Sequence, residues 1–192
     1  MEKLGKNPEN LKQELINKLN QFDIPIDKWG KGETKTVKHL LDEIQSGESI
    51  LIRDNKNKEL SRKISFLAID VLYEDKSGQY KLVEKKQIFN DGRERVRNLD
   101  TSLGEKIKSN EIDIKDVTKR AIFEELGIIG GIKFVDNQKT IKETVDSKSY
   151  PGLKSLHTKI HVTIKLKPSQ YISKGYKETQ KDKTTYFVWK KI

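Results

Sequence analysis

Arg120-Ala-Ile-Phe-Glu-Glu-Leu-Gly-Ile128 is the stretch on which the fold turns. Ile114, Val117, Ala121, Ile122 and Leu126 recur at helical spacing, so residues 114 to 126 read as one helix with a buried stripe, and Gly127 ends it. On that helix Arg120 and Glu124 are surface neighbours, four residues apart. Glu124 and Glu125 put two carboxylates at the C-terminal end, where they repel each other and gain nothing from the helix dipole. A bound divalent cation would relieve that cost. A surface Arg–Glu pair followed by an ordinary Leu-Gly helix stop accounts for the same letters.

Outward from this helix the period changes on both sides. Upstream, Ile50 to Ile52 is short and apolar, and Ile64 to Tyr73 and Tyr80 to Phe89 read as a strand pair around the turn Glu74-Asp-Lys-Ser-Gly78. Arg93, Arg95 and Arg97 alternate, so on a strand they would share one face. Farther upstream, Pro8 suits a first-turn position, and Leu11, Leu15, Leu19 and Phe22 give a helix over 8 to 22. Val37, Leu40, Leu41 and Ile44 give a second helix, which Gly47 ends. Downstream come strand-like runs at Ile132 to Val135 and Thr140 to Val145, then a Tyr150-Pro-Gly loop. Leu156 to Leu166 alternates cleanly, with Ile160, Val162, Ile164 and Leu166 on one face and His161, Thr163 and Lys165 on the other. Tyr186 to Trp189 is a last strand. Two helices, strands, one central helix and further strands make an α+β arrangement, with residues 1–48 as an N-terminal helical extension and 49–192 as the main domain.

The composition narrows the chemistry. A length of 192 residues suits one medium domain with or without a small appendage. Zero cysteine excludes disulfides, thiolate zinc sites and a cysteine nucleophile. With three histidines in the chain, His39, His157 and His161, a bound metal would be held mainly by oxygen, which points to magnesium, manganese or calcium. No run of about 18 apolar residues occurs, and Met1 to Asn20 lacks the apolar centre of a signal peptide. A soluble cytoplasmic protein with no membrane contact is expected. The net charge of +10 favours polyanions such as nucleotides or RNA, although charges spread along the whole chain are equally explained by a solvated surface.

The segment Arg120 to Ile128 resembles the second half of the Nudix box, in which an arginine-glutamate pair precedes Glu-Glu-x-Gly-apolar. Arg120, Ile122, Glu124, Glu125, Gly127 and Ile128 match it. Gly104 and Glu111 are the upstream counterparts, at intervals each one residue longer than the family's. Ala121 departs from the pattern, because it stands where the first glutamate belongs. The resemblance covers roughly residues 60 to 192. It implies a mixed β-sheet sandwiched by helices and a Mg- or Mn-dependent pyrophosphohydrolase that cleaves a nucleoside diphosphate linked to another group, such as ADP-ribose. It further implies Glu124, Glu125 and Glu111 as metal ligands. Arg120 would belong to the catalytic machinery by orienting a glutamate.

With Ala121 one carboxylate is missing, and Glu105, Glu111 or Glu143 are candidates to replace it. The alternative is a catalytically inactive Nudix-like module that binds a nucleotide or RNA. Arg93, Arg95 and Arg97, and Lys85 and Lys86, are candidates for holding substrate phosphates. Tyr150 is a candidate for substrate contact, since Ser149-Tyr-Pro-Gly-Leu153 resembles a Ser-Pro-Gly loop of relatives acting on ADP-ribose-type compounds, although a Pro-Gly pair is first a turn. His157 and His161 lie opposite Ile160 and Val162 and could meet substrate or move a proton. Trp29, Tyr150 and Trp189 could stack a base or pack in the core.

Overall fold

The structure, a computed structural model, describes residues 7–54 and 59–192. Met1 to Lys6 of the amphipathic start lie outside the described residues. The elements are α1 (Pro8–Asn20), α2 (Val37–Gln45), β1 (Ile50–Asp54), β2 (Glu59–Asp75), β3 (Gly78–Phe89), β4 (Glu94–Arg95), β5 (Leu103–Ile107), α3 (Ile114–Leu126), β6 (Lys133–Asp146), β7 (Lys154–Lys165), β8 (Tyr176–Thr179) and β9 (Lys183–Lys191). This is an α+β protein. Among the described residues nine strands form one sheet in the order β6-β7-β2-β3-β9-β8, with β1 and β5 paired to β2 and β4 paired to β3. The β1–β2, β2–β3, β3–β4, β3–β9 and β8–β9 pairings are antiparallel.

The chain forms two compact units, and they interleave along the sequence. The first comprises residues 1–65, 106–110 and 141–158, and the second 66–105, 111–140 and 159–192. The N-terminal helices therefore share a unit with residues 49–65 and 141–158, and no division falls at residue 48.

In the first unit Asn7 caps α1 by accepting the Glu9 N–H at 3.1 Å. The helix stops at Asn20, before Phe22, because Asp23 turns into the left-handed region at φ 52° and the Ile24 N–H bonds back to the Leu19 carbonyl. Leu15, Leu19, Ile24, Trp29, Leu40, Leu60, Tyr150 and Leu153 form its core. Thr36 caps α2 by accepting the His39 N–H, and the His39 ring accepts the Thr36 N–H, so His39 is part of a reciprocal cap. Beneath it Glu43, buried, accepts bonds from Lys35 (2.7 Å), Arg62 (2.7 Å) and Ser49 (2.9 Å).

In the second unit α3 spans the expected residues. Asp113 caps it by accepting the Lys115 N–H, and Gly127 ends it at φ 66°. Val117, Thr118, Ala121, Ile122 and Leu126 are its buried face. Two expectations change. The separate runs 132–135 and 140–145 are one strand, β6, which continues through Asp136 to Lys139 although Asp136-Asn137 is a turn-forming pair. The segment 92–97 is a two-residue strand only, so Arg93, Arg95 and Arg97 do not form a row on one strand face. The elements β5 and β8 were not expected from periodicity.

Candidate functional site: a carboxylate pocket in the second unit

The end of α3 lies over a cavity of about 280 Å3 lined by Glu84, Gln87, Arg97, Gly104, Glu105, Glu124, Glu125, Glu178, Gln180, Lys183 and Thr185. Its floor is sheet. Register places Gln87 of β3 opposite Thr185 of β9, and Thr185 opposite Glu178 of β8. A bulge between Glu84 and Lys86 sends both Glu84 and Gln87 to the inner face, where each is buried. The wall is β5, with Gly104 and Glu105, and the α3 end, with Glu124 and Glu125. Five glutamates thus face one arginine and one lysine in a small cavity.

Most of these carboxylates are already engaged. Arg97 pairs bidentately with Glu84. Arg120 collects two more, Glu105 at 3.2 Å and Glu124 at 2.9 Å, together with Glu111 outside the lining at 2.8 and 3.2 Å. Burial alone works against the Arg120 charge, but the bonds from Glu111 and Glu105 overcome it and raise its pKa. Burial raises the Glu105 pKa against the pull of Arg120. Glu125 differs, since no hydrogen bond among the described residues serves its carboxyl. Burial pushes its pKa up to about 8, and the charges of Glu178, Glu105 and Glu84 push the same way against Arg97. It therefore holds a proton near neutral pH.

The structure brings Glu124, Glu125 and Arg97 to one cavity, with Arg120 immediately behind them. Glu111 stays with Arg120 and does not line the cavity. Arg95 bonds to Gln87 Oε1 at 2.9 Å through its Nε, while Arg93 pairs with Asp91 at a separate concavity formed by Phe89, Asn90, Asp91, Lys181 and Asp182. Tyr150 offers no surface to a substrate, contrary to expectation. It is fully buried in the first unit's core, tilted 5.0 Å from Trp29 and capped by Arg62 at 4.8 Å. His157 lies in the first unit beside Glu143 at 3.3 Å, so neither residue belongs to this cavity. His161 bonds to Asp70 at 3.1 Å. Trp189 packs with Tyr171, and Trp29 with Tyr150, so neither indole lies in the cavity.

Sequence reasoning missed Glu84, Gln87, Glu178, Gln180, Lys183 and Thr185. Glu84 carried a usable signal: it shares the phase of Leu82, so a charge occupied an apolar face of β3. Glu178 carried none, because Tyr176–Thr179 is too short to declare a period.

Oxygen-rich, mutually repelling carboxylates suit a hard divalent cation in donor type and charge. No group of three or more His, Asp or Glu among the described residues is arranged to hold one as it stands. The fit is thus one of chemistry, and an ion would draw Glu124 or Glu105 away from Arg120. Ala121 is fully buried and lies outside the cavity lining.

No protein-family model and no curated protein matches the chain. Among solved structures it is similar to the C. elegans Ap4A hydrolase, at 11% identity over 66% of this chain and 79% of that one, with a TM-score of 0.38. It is also similar to the NUDIX domain of Shewanella oneidensis NrtR, solved with ADP ribose, at 9% identity over 72% and 77% of the two chains, with a TM-score of 0.37. Likenesses this distant assign no residue and no substrate. Among the described residues no helix is long and apolar enough to cross a membrane.

Proposed function

We propose that the carboxylate cavity is the site of a Nudix-like, Mg- or Mn-dependent hydrolase that cleaves the phosphoanhydride of a nucleoside diphosphate linked to another group. The observation that carries this reading is Glu125, a half-buried carboxyl without a hydrogen bond among the described residues, ringed by Glu178, Glu105 and Glu84, its pKa pushed up to about 8. Such a cavity repels a diphosphate unless cations accompany it, and a carboxyl this far from its ordinary value is typical of a working site.

Glu124 and Glu125 would hold the cation, with Glu178 beside them. When bound, the cation would neutralise diphosphate charge and make a water acidic enough to attack phosphorus. Arg97 and Lys183 are the cations of the lining and would contact phosphate oxygens. Glu105 lines the same cavity and is the carboxylate we assign to the gap at Ala121, where it would take a proton from the attacking water. Arg120 positions Glu105 and Glu124 through its shared bonds.

The test is release of phosphate-containing products from ADP-ribose, dinucleoside polyphosphates and capped RNA at millimolar Mn2+ or Mg2+. Glu124→Gln, Glu125→Gln and Glu105→Gln are each expected to lower kcat at least about 100-fold, the scale of one lost acid-base or metal-binding group.

A second reading, a ligand-binding module without turnover, is favoured by the burial of Ala121 and by the commitment of Glu84, Glu105 and Glu124 to arginines. It predicts no product with any substrate, together with a ligand-dependent rise in Tm. Binding of RNA would show as a steep loss of affinity with added salt.

A further inference from the structure

A cavity of the first unit has the opposite character. Its volume is about 600 Å3, within the roughly 300–1,000 Å3 range of small-molecule sites. It lies on the sheet where β1, β2, β6 and β7 supply Ile52, Lys63, Ser65, Lys142, Thr144, Leu156 and Thr158, with Glu143 and His157 at one side. Along β2 the residues Leu60, Arg62 and Ile64 are buried, so Ser61, Lys63 and Ser65 point to the other face. On that face Ile52 keeps 38% of its surface exposed.

The charge balance decides the ligand. Lys63 and Lys142 line the cavity without a carboxylate in ion-pair reach among the described residues, whereas Lys154, on the neighbouring strand, pairs with Glu59 at 3.0 Å. The single acid of the lining, Glu143, is taken by His157 at 3.3 Å. Three hydroxyls, from Ser65, Thr144 and Thr158, supply donors of the kind that phosphate oxygens and sugar hydroxyls accept or offer. Ile52 and Leu156 supply an apolar surface for a ring. A phosphate would be attracted here without any metal, while the carboxylate cavity would repel it.

We propose that this cavity is a second, metal-independent binding site for a phosphomonoester that carries a ring-containing body, with Lys63 and Lys142 on the phosphate and Ile52 and Leu156 against the ring. The inference does not rest on the hydrolase reading, since the two cavities share no residue.

The experiment is calorimetric titration of the full chain with AMP in EDTA, with adenosine and inorganic phosphate as separate probes. AMP is expected to bind at least ten times more tightly than either fragment, and Lys63→Gln with Lys142→Gln together to weaken it at least tenfold. Glu125→Gln is expected to leave it unchanged. Amide shifts on titration are expected at residues 63–65, 142–144 and 156–158. No AMP binding at millimolar concentration would overturn the proposal, as would binding indifferent to the double lysine variant or lost in Glu125→Gln.

Discussion

Glu125 concentrates the chemistry of the cavity in one proton. Its folded pKa of about 8 stands above the ordinary 4.5, so between those values the folded chain binds more protons than the unfolded one. Stability contributed by the neutral carboxyl is present below about pH 4.5 and is lost as pH rises toward and past 8. The full cost above pH 8 is roughly 3–5 kcal/mol from a shift of this size. Glu125→Gln, which cannot ionise, is therefore expected to unfold at a higher Tm than the parent at pH 9 and at a similar Tm at pH 5. Calorimetric scans at the two values check it, and an equal difference at both would refute the assignment of the charge. Arg120 is the complementary case. Arg120→Ala strands Glu105, Glu111 and Glu124 together, and a loss of about 2–4 kcal/mol in urea unfolding is expected for removing one partner of a half-buried ion cluster. Both residues stood in the quoted helix and were legible as a cluster. What Glu125 faces was not legible, since Glu84 and Glu178 come from strands far away in the chain.

At the scale of elements, glycines separate conformation from contact. Gly127, which ends α3 at φ 66°, has open space where a Cβ would stand, so Gly127→Ala should cost only the left-handed penalty, about 1 kcal/mol. Gly175, leading into β8 at φ 82°, would set a Cβ 2.0 Å from the Phe187 carbonyl oxygen. Gly175→Ala must therefore push β8 off β9 as well, and is expected to be the more destabilising of the two by several fold in chemical denaturation. The same displacement would move Glu178, so the variant should also lower the Glu125 pKa. The helix α3 could be read from its period and its stop because both are local properties. Two features escaped for physical reasons. The bulge at Glu84 is invisible to a two-residue period, and β8 is held by its pairing with β9 and by α3, which are long-range contacts.

For the molecule as a whole, the net charge of +10 hides a division between two cavities of opposite sign. A uniform basic surface would have favoured any polyanion at either place. Instead the carboxylate cavity calls for a cation first, and the lysine cavity accepts an anion alone. Composition predicted polyanionic partners but not this separation, because the lysine cavity draws its residues from β1, β2, β6 and β7 and the carboxylate cavity draws most of its own from β3, β5, α3, β8 and β9. The central claim, that the carboxylate cavity takes up a divalent cation at Glu124 and Glu125, is tested most directly by titrating Mn2+ into the chain at pH 7 in two buffers of different ionisation enthalpy. About one proton is expected to leave per ion bound, because a ligating carboxylate must be deprotonated, and Glu125→Gln should abolish that release and weaken binding. Binding without proton release, binding unchanged in Glu125→Gln, or no binding at millimolar Mn2+ would contradict the account.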